Sequence, residues 1–329
     1  MERYEPPFTI TNAILKSVAS ISEKLGRIET WRTLERQPHL RRNNRIHSVH
    51  SSLRIEANSL SLDNVRDVLN NRVVIGPAKE IQEVKNAFAA YDQIDQIDPY
   101  SLHDLLRLHG VMTYLTVEES GVFRSGAEGV WRGDKCIHIA PPPEMVPSLM
   151  EQLFDWLADN REEVHPLVLS CVFHYEFVFI HPFRDGNGRM ARLWQTALLS
   201  KWNPLFQYIP IESQIERFQD AYYDAIALST GEGQSTPFVE FLLTRIEETL
   251  DRVIAQEGSD SVQTEQVRRL LSVMEYDTPY TATVLMRLLG LKSRDALRNN
   301  YLAPAIDAGL VQMTEPDKPT SRNQRYQKT

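Results

Sequence analysis

HPFRDGNGRMAR, residues 181–192, carries a histidine, an aspartate, two glycines and a pair of arginines three residues apart. It joins PLVLSCVFHYEFVFI (166–180), apolar nearly all round, to RMARLWQTALLSKW (189–202), whose apolar positions recur at helical spacing. A helix without a polar face belongs in the middle of a bundle. The quoted stretch is therefore expected to be a short polar loop between two core helices. Gly186 and Gly188 permit positive φ and close backbone approach, and Asn187 is the non-glycine residue that best tolerates that region. Backbone N–H groups converging at a helix N-terminus, with the dipole behind them, make an anion site. Arg189 and Arg192 project from one face and can reach phosphate oxygens. Asp185 suits a hard cation such as Mg2+, and the His181 imidazole can take a hydroxyl proton. Together these parts describe transfer from a nucleotide phosphate to an alcohol. Each residue alone also fits a plain polar turn with solvated arginines. A zinc site on His174 and His181 lacks a third ligand at suitable spacing. No GxxxxGK[ST] stretch is present, which excludes a P-loop.

The chain has 329 residues, 42% hydrophobic and 24% charged, with a formal net charge of −8. That composition belongs to a soluble globular protein, and the acidity argues against nucleic acid as the partner of the whole molecule. Two cysteines, Cys136 and Cys171, make a disulfide framework improbable and a reducing cytoplasm the expected compartment. No apolar run reaches the roughly 20 residues that span a bilayer, so no membrane partner is expected.

Helical spacing is read at Ile14 to Ile28, after a cap at Thr11 or Asn12, and at Leu62 to Leu69. Further helices are read over about 78–95, 101–116, 144–159, 165–179, 212–229 and 236–256. Between the first two lies a basic, Asn-rich segment, RRNNRIHSVHSS (41–52). VWRGDKCIHIA (130–140) is the best strand signal, with a hairpin tip at 132–135. QEGSDSVQT (256–264) is expected to be a linker, followed by three short helices and a β-wing. The fold class expected is mostly α. Its parts are an N-terminal helical region (1–100), a catalytic core (101–255) and a small winged helix-turn-helix module (262–329).

The stretch 181–192 matches HPFx[D/E]GNGRxxR, the signature of the Fic family, at every specified position, and HYEFVFI and AYYDAI also resemble Fic domains. The resemblance implies a Fic-type helical bundle with a β-hairpin flap, transferring AMP from ATP to a Ser, Thr or Tyr hydroxyl of a target protein. It implies His181 as general base, Phe183 as the loop's anchor and Asp185 as the Mg2+ ligand. Gly186, Asn187 and Gly188 would form the anion hole, with Arg189, Met190, Ala191 and Arg192 along the polyphosphate. Kinase-like relatives carry Lys where Gly188 stands, so AMP transfer is the expected reaction.

SSLRIEAN (51–58) resembles the family's inhibitory motif [S/T]xxxE[G/N], with Ser52 and Glu56 on one helix face. The resemblance implies that Glu56 pairs with Arg192 and displaces the ATP γ-phosphate. Ala57 departs from the pattern. Val130, Trp131, Arg132 and Gly133 would lie in the flap that covers the nucleotide, and Tyr222 and Tyr223 near adenine. Thr230 stands where some relatives have an adenine-contacting Asn. Residues 262–329 hold ten Lys/Arg against seven Asp/Glu. Arg294, Arg298 and Asn299 could face DNA from a recognition-like helix. Two other readings stay open: a nucleotide-sensing DNA-binding regulator, and a de-AMPylase in which Glu56 orients a water. The acceptor that the resemblance implies is a hydroxyl on a target protein, the chain itself included, and a homo-oligomer is compatible with the sequence.

Overall fold

The stretch 166–180 folds as the helix Pro166–Ile180, and every residue from Leu167 to Val178 is buried. So complete a burial demands that the polar side chains inside find partners. They do. His174 sits between the Gln195 amide oxygen at 2.9 Å and the Tyr222 hydroxyl at 3.1 Å. The Ser170 hydroxyl donates to the Leu167 carbonyl at 3.1 Å, and the Glu176 carboxylate takes the Tyr4 hydroxyl. Asn187–Trp202, the helix after the polar loop, packs antiparallel-fashion against it and is buried from Arg189 to Ser200. Its Trp194 indole is fully enclosed and donates to the Pro99 carbonyl at 3.0 Å.

The computed structural model describes residues 4–31, 38–132, 135–260, 264–274, 278–308, 310–316, 321 and 324–328. The chain divides into two compact units, Met1–Ile254 and Ala255–Thr329. In chain order the first unit holds helices α1 (Asn12–Trp31), α2 (Pro38–Ile55), α3 (Leu62–Leu69), α4 (Ala78–Tyr91) and α5 (Leu102–Met112). The hairpin β1 (Gly129–Arg132) and β2 (Lys135–Ile139) follows. Then come α6 (Val146–Asp159), α7 (Pro166–Ile180), α8 (Asn187–Trp202), α9 (Ile211–Arg217), α10 (Gln219–Glu232) and α11 (Thr236–Asp260). The strands pair antiparallel, with a register shift between Val130 and Trp131. Residues of 1–100 and of 101–255 share one hydrophobic core around α7 and α8.

The basic segment 41–52 is most of helix α2, whose buried side carries Ile46, Val49, Leu53 and Ile55 beside Ser48, Ser51 and Ser52. Its cations turn outward, where Arg45 meets Asp92 and Arg41 lies 5.3 Å from the centre of the Tyr208 ring. One expectation is corrected: the linker expected at 256–264 is instead helical through Asp260, because α11 continues past its last apolar turn. Among the described residues no helix is long and apolar enough to cross a membrane.

In the second unit, α12 (Glu265–Val273) and α13 (Ala282–Leu289) are followed by α14 (Arg294–Ala296). A π-helical turn, Leu297–Leu302, carries α14 into α15 (Ala303–Asp307). Strands β3 (Val311–Met313) and β4 (Tyr326–Lys328) pair antiparallel, and Tyr280, between α12 and α13, bridges to Tyr326. Val267, Leu270, Leu285, Leu297 and Leu302 form a core of its own. Thr264, Thr281 and Ser293 cap three of the helices through their side-chain oxygens.

Burial in the first unit holds histidines neutral, pushing His174 down to about 3 and His109 and His181 to about 4. In the unfolded chain an imidazole titrates near 6.5. Below that pH the unfolded state binds protons that the folded state refuses, so this stability is complete above about 6.5 and lost as pH falls towards 4. Glu176, pushed up to about 7 by burial, acts in the opposite sense, but it is one group against three. Thermal melts are expected to show Tm falling steadily between pH 7 and pH 5. A flat profile there contradicts the burial of these rings.

Candidate active site

Helix α7 ends on His181, which caps it in a left-handed conformation with φ 51° and ψ 59°. A histidine held there costs about 1 kcal/mol or more, so something must hold it. Arg124 does. Buried beside the loop, it donates to the His181 carbonyl at 2.7 Å and to the Gly126 carbonyl at 2.7 Å, and its own N–H donates to the Pro182 carbonyl at 2.9 Å. The His181 ring donates Nδ1–H to the Val178 carbonyl at 3.3 Å, which leaves Nε2 as the proton acceptor. Since burial pushes the imidazole down to about 4, that nitrogen carries its lone pair at neutral pH.

The loop is closed from inside. The Asn187 side chain accepts from the Phe183 N–H at 2.8 Å and donates to the Phe183 carbonyl at 2.6 Å. Its amide is thereby spent on the loop itself, and only its backbone N–H remains for an anion. Phe183 is fully buried and stacks on His109 with ring centres 3.6 Å apart. His109 accepts from the Gly121 N–H at Nδ1, at 2.9 Å, so its Nε2 donates to the Asp185 carbonyl, at 3.0 Å. Gly186 starts the turn at φ 87°, with Thr113 and His109 already where a side chain would go. Gly188 is glycine for another reason. A Cβ there would lie 2.2 Å from a Glu56 carboxylate oxygen.

Asp185 receives Arg189 at 2.6 Å on one oxygen, while Lys79 lies 3.7 Å from the other. Burial alone would raise the Asp185 carboxyl; the Arg189 guanidinium outweighs it and holds the group below the usual carboxylate range. An ionised, part-exposed carboxylate fits Mg2+, which is bound in proteins through one or two carboxylates plus substrate phosphates. Arg189 also faces Glu83 at 3.7 Å, and its Nε has no hydrogen-bond partner.

Arg192 is 2% exposed. It donates from Nε to the Ser52 hydroxyl at 3.0 Å, and from Nη2 to the Ser52 carbonyl at 2.9 Å and to Glu56 at 2.8 Å. Its Nη1 is buried without an acceptor. Ser52 comes from the last turn of α2 and Glu56 directly follows its end, and α9 with its neighbours clamps that helix. Ser51 meets Ser213 at 3.1 Å, and the Gln219 amide donates to the Ile55 carbonyl at 2.8 Å. Glu56, His181, Gly188, Arg192, Tyr222 and Tyr223 line a common cavity of about 170 Å³, with Val130 at its wall. A larger hollow of about 630 Å³, between Tyr100, Arg161, His165 and Trp202, contains none of the loop residues.

Met190 and Ala191, expected along the polyphosphate, are wholly buried on the core side of α8. Tyr222 is core as well as cavity wall, through its bond to His174, whereas Tyr223 is only half-buried. The Thr230 hydroxyl is shared with Tyr175 at 3.3 Å. Trp131 and Arg132 lie on β1, and Gly133 is outside the described residues. No group of three metal-ligating side chains occurs among the described residues, and His174 is consumed by Gln195 and Tyr222, which removes the zinc alternative. Arg124 and His109 escaped the sequence reading because their partners, the loop carbonyls of His181 and Asp185, lie far away in the chain.

The backbone at Ala57 shows why the inhibitory pattern has Gly or Asn at this position. It ends α2 at φ 64°, a conformation that glycine and asparagine adopt readily and alanine does not. Ala57→Gly is expected to raise unfolding free energy by about 1 kcal/mol, measured by urea denaturation. An unchanged or lower midpoint contradicts the strain.

Residues 99–199 match the model of the Fic/DOC family, and residues 265–329 match that of the Filamentation induced by cAMP protein Fic-like, C-terminal domain. A crystal structure of a Fic family protein from Desulfovibrio desulfuricans is 43% identical, with a TM-score of 0.75, over 99% of this chain and 98% of that one. Among curated relatives, the protein adenylyltransferase Fic of Nematostella vectensis is 29% identical over 71% of this chain, and that of Culex quinquefasciatus 33% identical over 63%. This chain spans 54% and 41% of those two proteins, about half their length. On the loop, the helices that carry it and these likenesses together, the chain belongs to the Fic family.

Proposed function

We propose that this chain is a protein adenylyltransferase held in check by Glu56. The observation that carries the reading is the cavity shared by the His181 ring, Gly188, Arg192 and Glu56. A buried guanidinium with an unused N–H is a built acceptor of anions, and a neutral imidazole whose free nitrogen is Nε2 is a built acceptor of protons. ATP supplies the anion, and a Ser, Thr or Tyr side chain of a target protein supplies the hydroxyl.

In the reaction the hydroxyl oxygen attacks the α-phosphorus, the bond from that phosphorus to the bridging oxygen breaks, and pyrophosphate leaves. The hydroxyl proton goes to Nε2 of His181. Arg189 and Arg192 hold the phosphates, and backbone N–H groups of residues 186–188 face the charge that develops. Mg2+ on Asp185 would neutralise the leaving pyrophosphate. The brake follows from geometry and charge. Glu56 occupies Arg192 and crowds Gly188, so one guanidinium cannot serve the carboxylate and the γ-phosphate together.

Incubation with labelled ATP and Mg2+ tests both parts. Glu56→Gly is expected to raise AMP transfer about tenfold or more, the worth of one charge-assisted pair. His181→Ala is expected to lower it at least about a hundredfold. Unchanged labelling in the Glu56 variant removes the brake, and undiminished labelling in the His181 variant removes the base.

The second unit supports a further partner. Its order of helix, bridging Tyr280, two helices and a β-hairpin suits a winged helix-turn-helix, and Arg294, Arg298 and Asn299 are exposed on the helix after the turn. DNA held by these residues would be held through phosphates, so a mobility shift should weaken several-fold from 50 to 200 mM salt. No shift at either salt concentration excludes DNA.

A further inference from the structure

Arg192 is held on its other side by something the loop motif does not contain. Ser52 offers it two acceptors, its carbonyl and its hydroxyl, and the hydroxyl takes Nε–H at 3.0 Å. A serine that accepts from arginine must send its own proton elsewhere. It faces the hydroxyl of Tyr91, the last residue of α4. Tyr91 in turn donates to Glu212 on α9 at 2.7 Å, within the core. Burial first, and the Glu212 charge second, push the Tyr91 hydroxyl well above its ordinary range, so it stays a donor. Thr196, on the same helix as Arg192, approaches the same carboxylate oxygen at 3.5 Å.

Four side chains from α8, α2, α4 and α9 thus stand in one line: Arg192, Ser52, Tyr91, Glu212. Arg192 donates at its start and Tyr91 at its end, and Ser52 stands beside the Tyr91 hydroxyl between them. Glu212 is 1% exposed, and its second oxygen has no hydrogen-bond partner. A carboxylate buried so incompletely satisfied is costly. What it provides is a fixed acceptor at the end of the line and a negative charge near a buried cation. Tyr91 senses both charges, Glu212 raising its pKa and Arg192 lowering it. Glu56 leaves Arg192 when the nucleotide enters; Glu212 does not.

We propose that Glu212 is a positioning residue for Arg192, acting through Tyr91 and Ser52 to keep the guanidinium aimed at the γ-phosphate once Glu56 has swung away. The proposal rests on the adenylyltransferase reading and adds a residue to it. Its signature is selective. ADP has no γ-phosphate, so a misdirected Arg192 harms ATP binding and spares ADP.

The test is calorimetric titration of ATP and of ADP, each with Mg2+, into the full chain carrying Glu56→Gly, alone and combined with Glu212→Gln or Tyr91→Phe. Both second substitutions keep size and shape. Each is expected to raise the ATP Kd about tenfold, one charge-assisted hydrogen bond's worth, and the ADP Kd less than about twofold. Serine replaced by alanine at position 52 should do the same. Equal weakening of both nucleotides, or of neither, in the tyrosine variant overturns the relay, and that variant retains the buried ring, so it folds even if the glutamate variant does not. Failure of the brake reads differently: Glu56→Gly then binds ATP no more tightly than the parent chain, while the ATP-to-ADP ratio of Tyr91→Phe still decides the role of Glu212.

Discussion

A guanidinium that is 2% exposed must be neutralised and hydrogen-bonded, and much of this structure is arranged around that requirement. Arg192 lies in the second turn of α8, where the backbone carbonyls are committed to the helix itself. Its partners therefore come from elsewhere in the chain, both carbonyl and hydroxyl of Ser52 and the carboxylate of Glu56. That demand places the end of α2 against the polar loop. It also keeps residue 188 without a side chain, because the Glu56 oxygen occupies the space a Cβ would need. Phosphate satisfies the same demand, and the site's chemistry grows from that substitution of one anion for another.

The loop itself was legible because its information is local. Glycines, an asparagine and arginines three apart state their geometry by spacing alone, and the apolar run before them announces a buried helix. Helix α2 was not legible in the same way. Its buried face mixes Ile46, Val49, Leu53 and Ile55 with Ser48, Ser51 and Ser52, in a background of Arg, Asn and His. Gly258 and Ser259 suggested a linker, but helix α11 carries both without interruption. The supports of the loop are long-range: Arg124 reaches His181 across 57 residues and His109 reaches Asp185 across 76. No periodicity records such a contact.

Ala57 shows how a departure from pattern becomes readable once φ is known. The position requires the left-handed region, and the chain supplies a residue that resists it. Asn58 then compensates. Its amide donates to the Glu80 carbonyl at 3.3 Å and to Glu83 at 3.0 Å, and its oxygen accepts from the Leu60 N–H at 3.2 Å. The end of α2 is thus tied to α4, which also carries the Lys79 and Glu83 that flank Asp185 and Arg189. The end of α2 that carries Glu56 and the surroundings of Asp185 share one support.

The state of His181 depends on the same exchange of anions. Burial drives its pKa down, and among nearby charges Glu56 pulls it upward while Arg124 and His138 push it lower. With Glu56 on Arg192 the imidazole is therefore neutral but a weak base. A triphosphate brings more negative charge than the carboxylate it displaces, and brings it beside the same ring, so the imidazolium becomes easier to form. A base gains catalytic effect as its pKa approaches the working pH. On the proposed reading, nucleotide entry would remove the obstruction at Arg192 and strengthen the base at His181 through one electrostatic change.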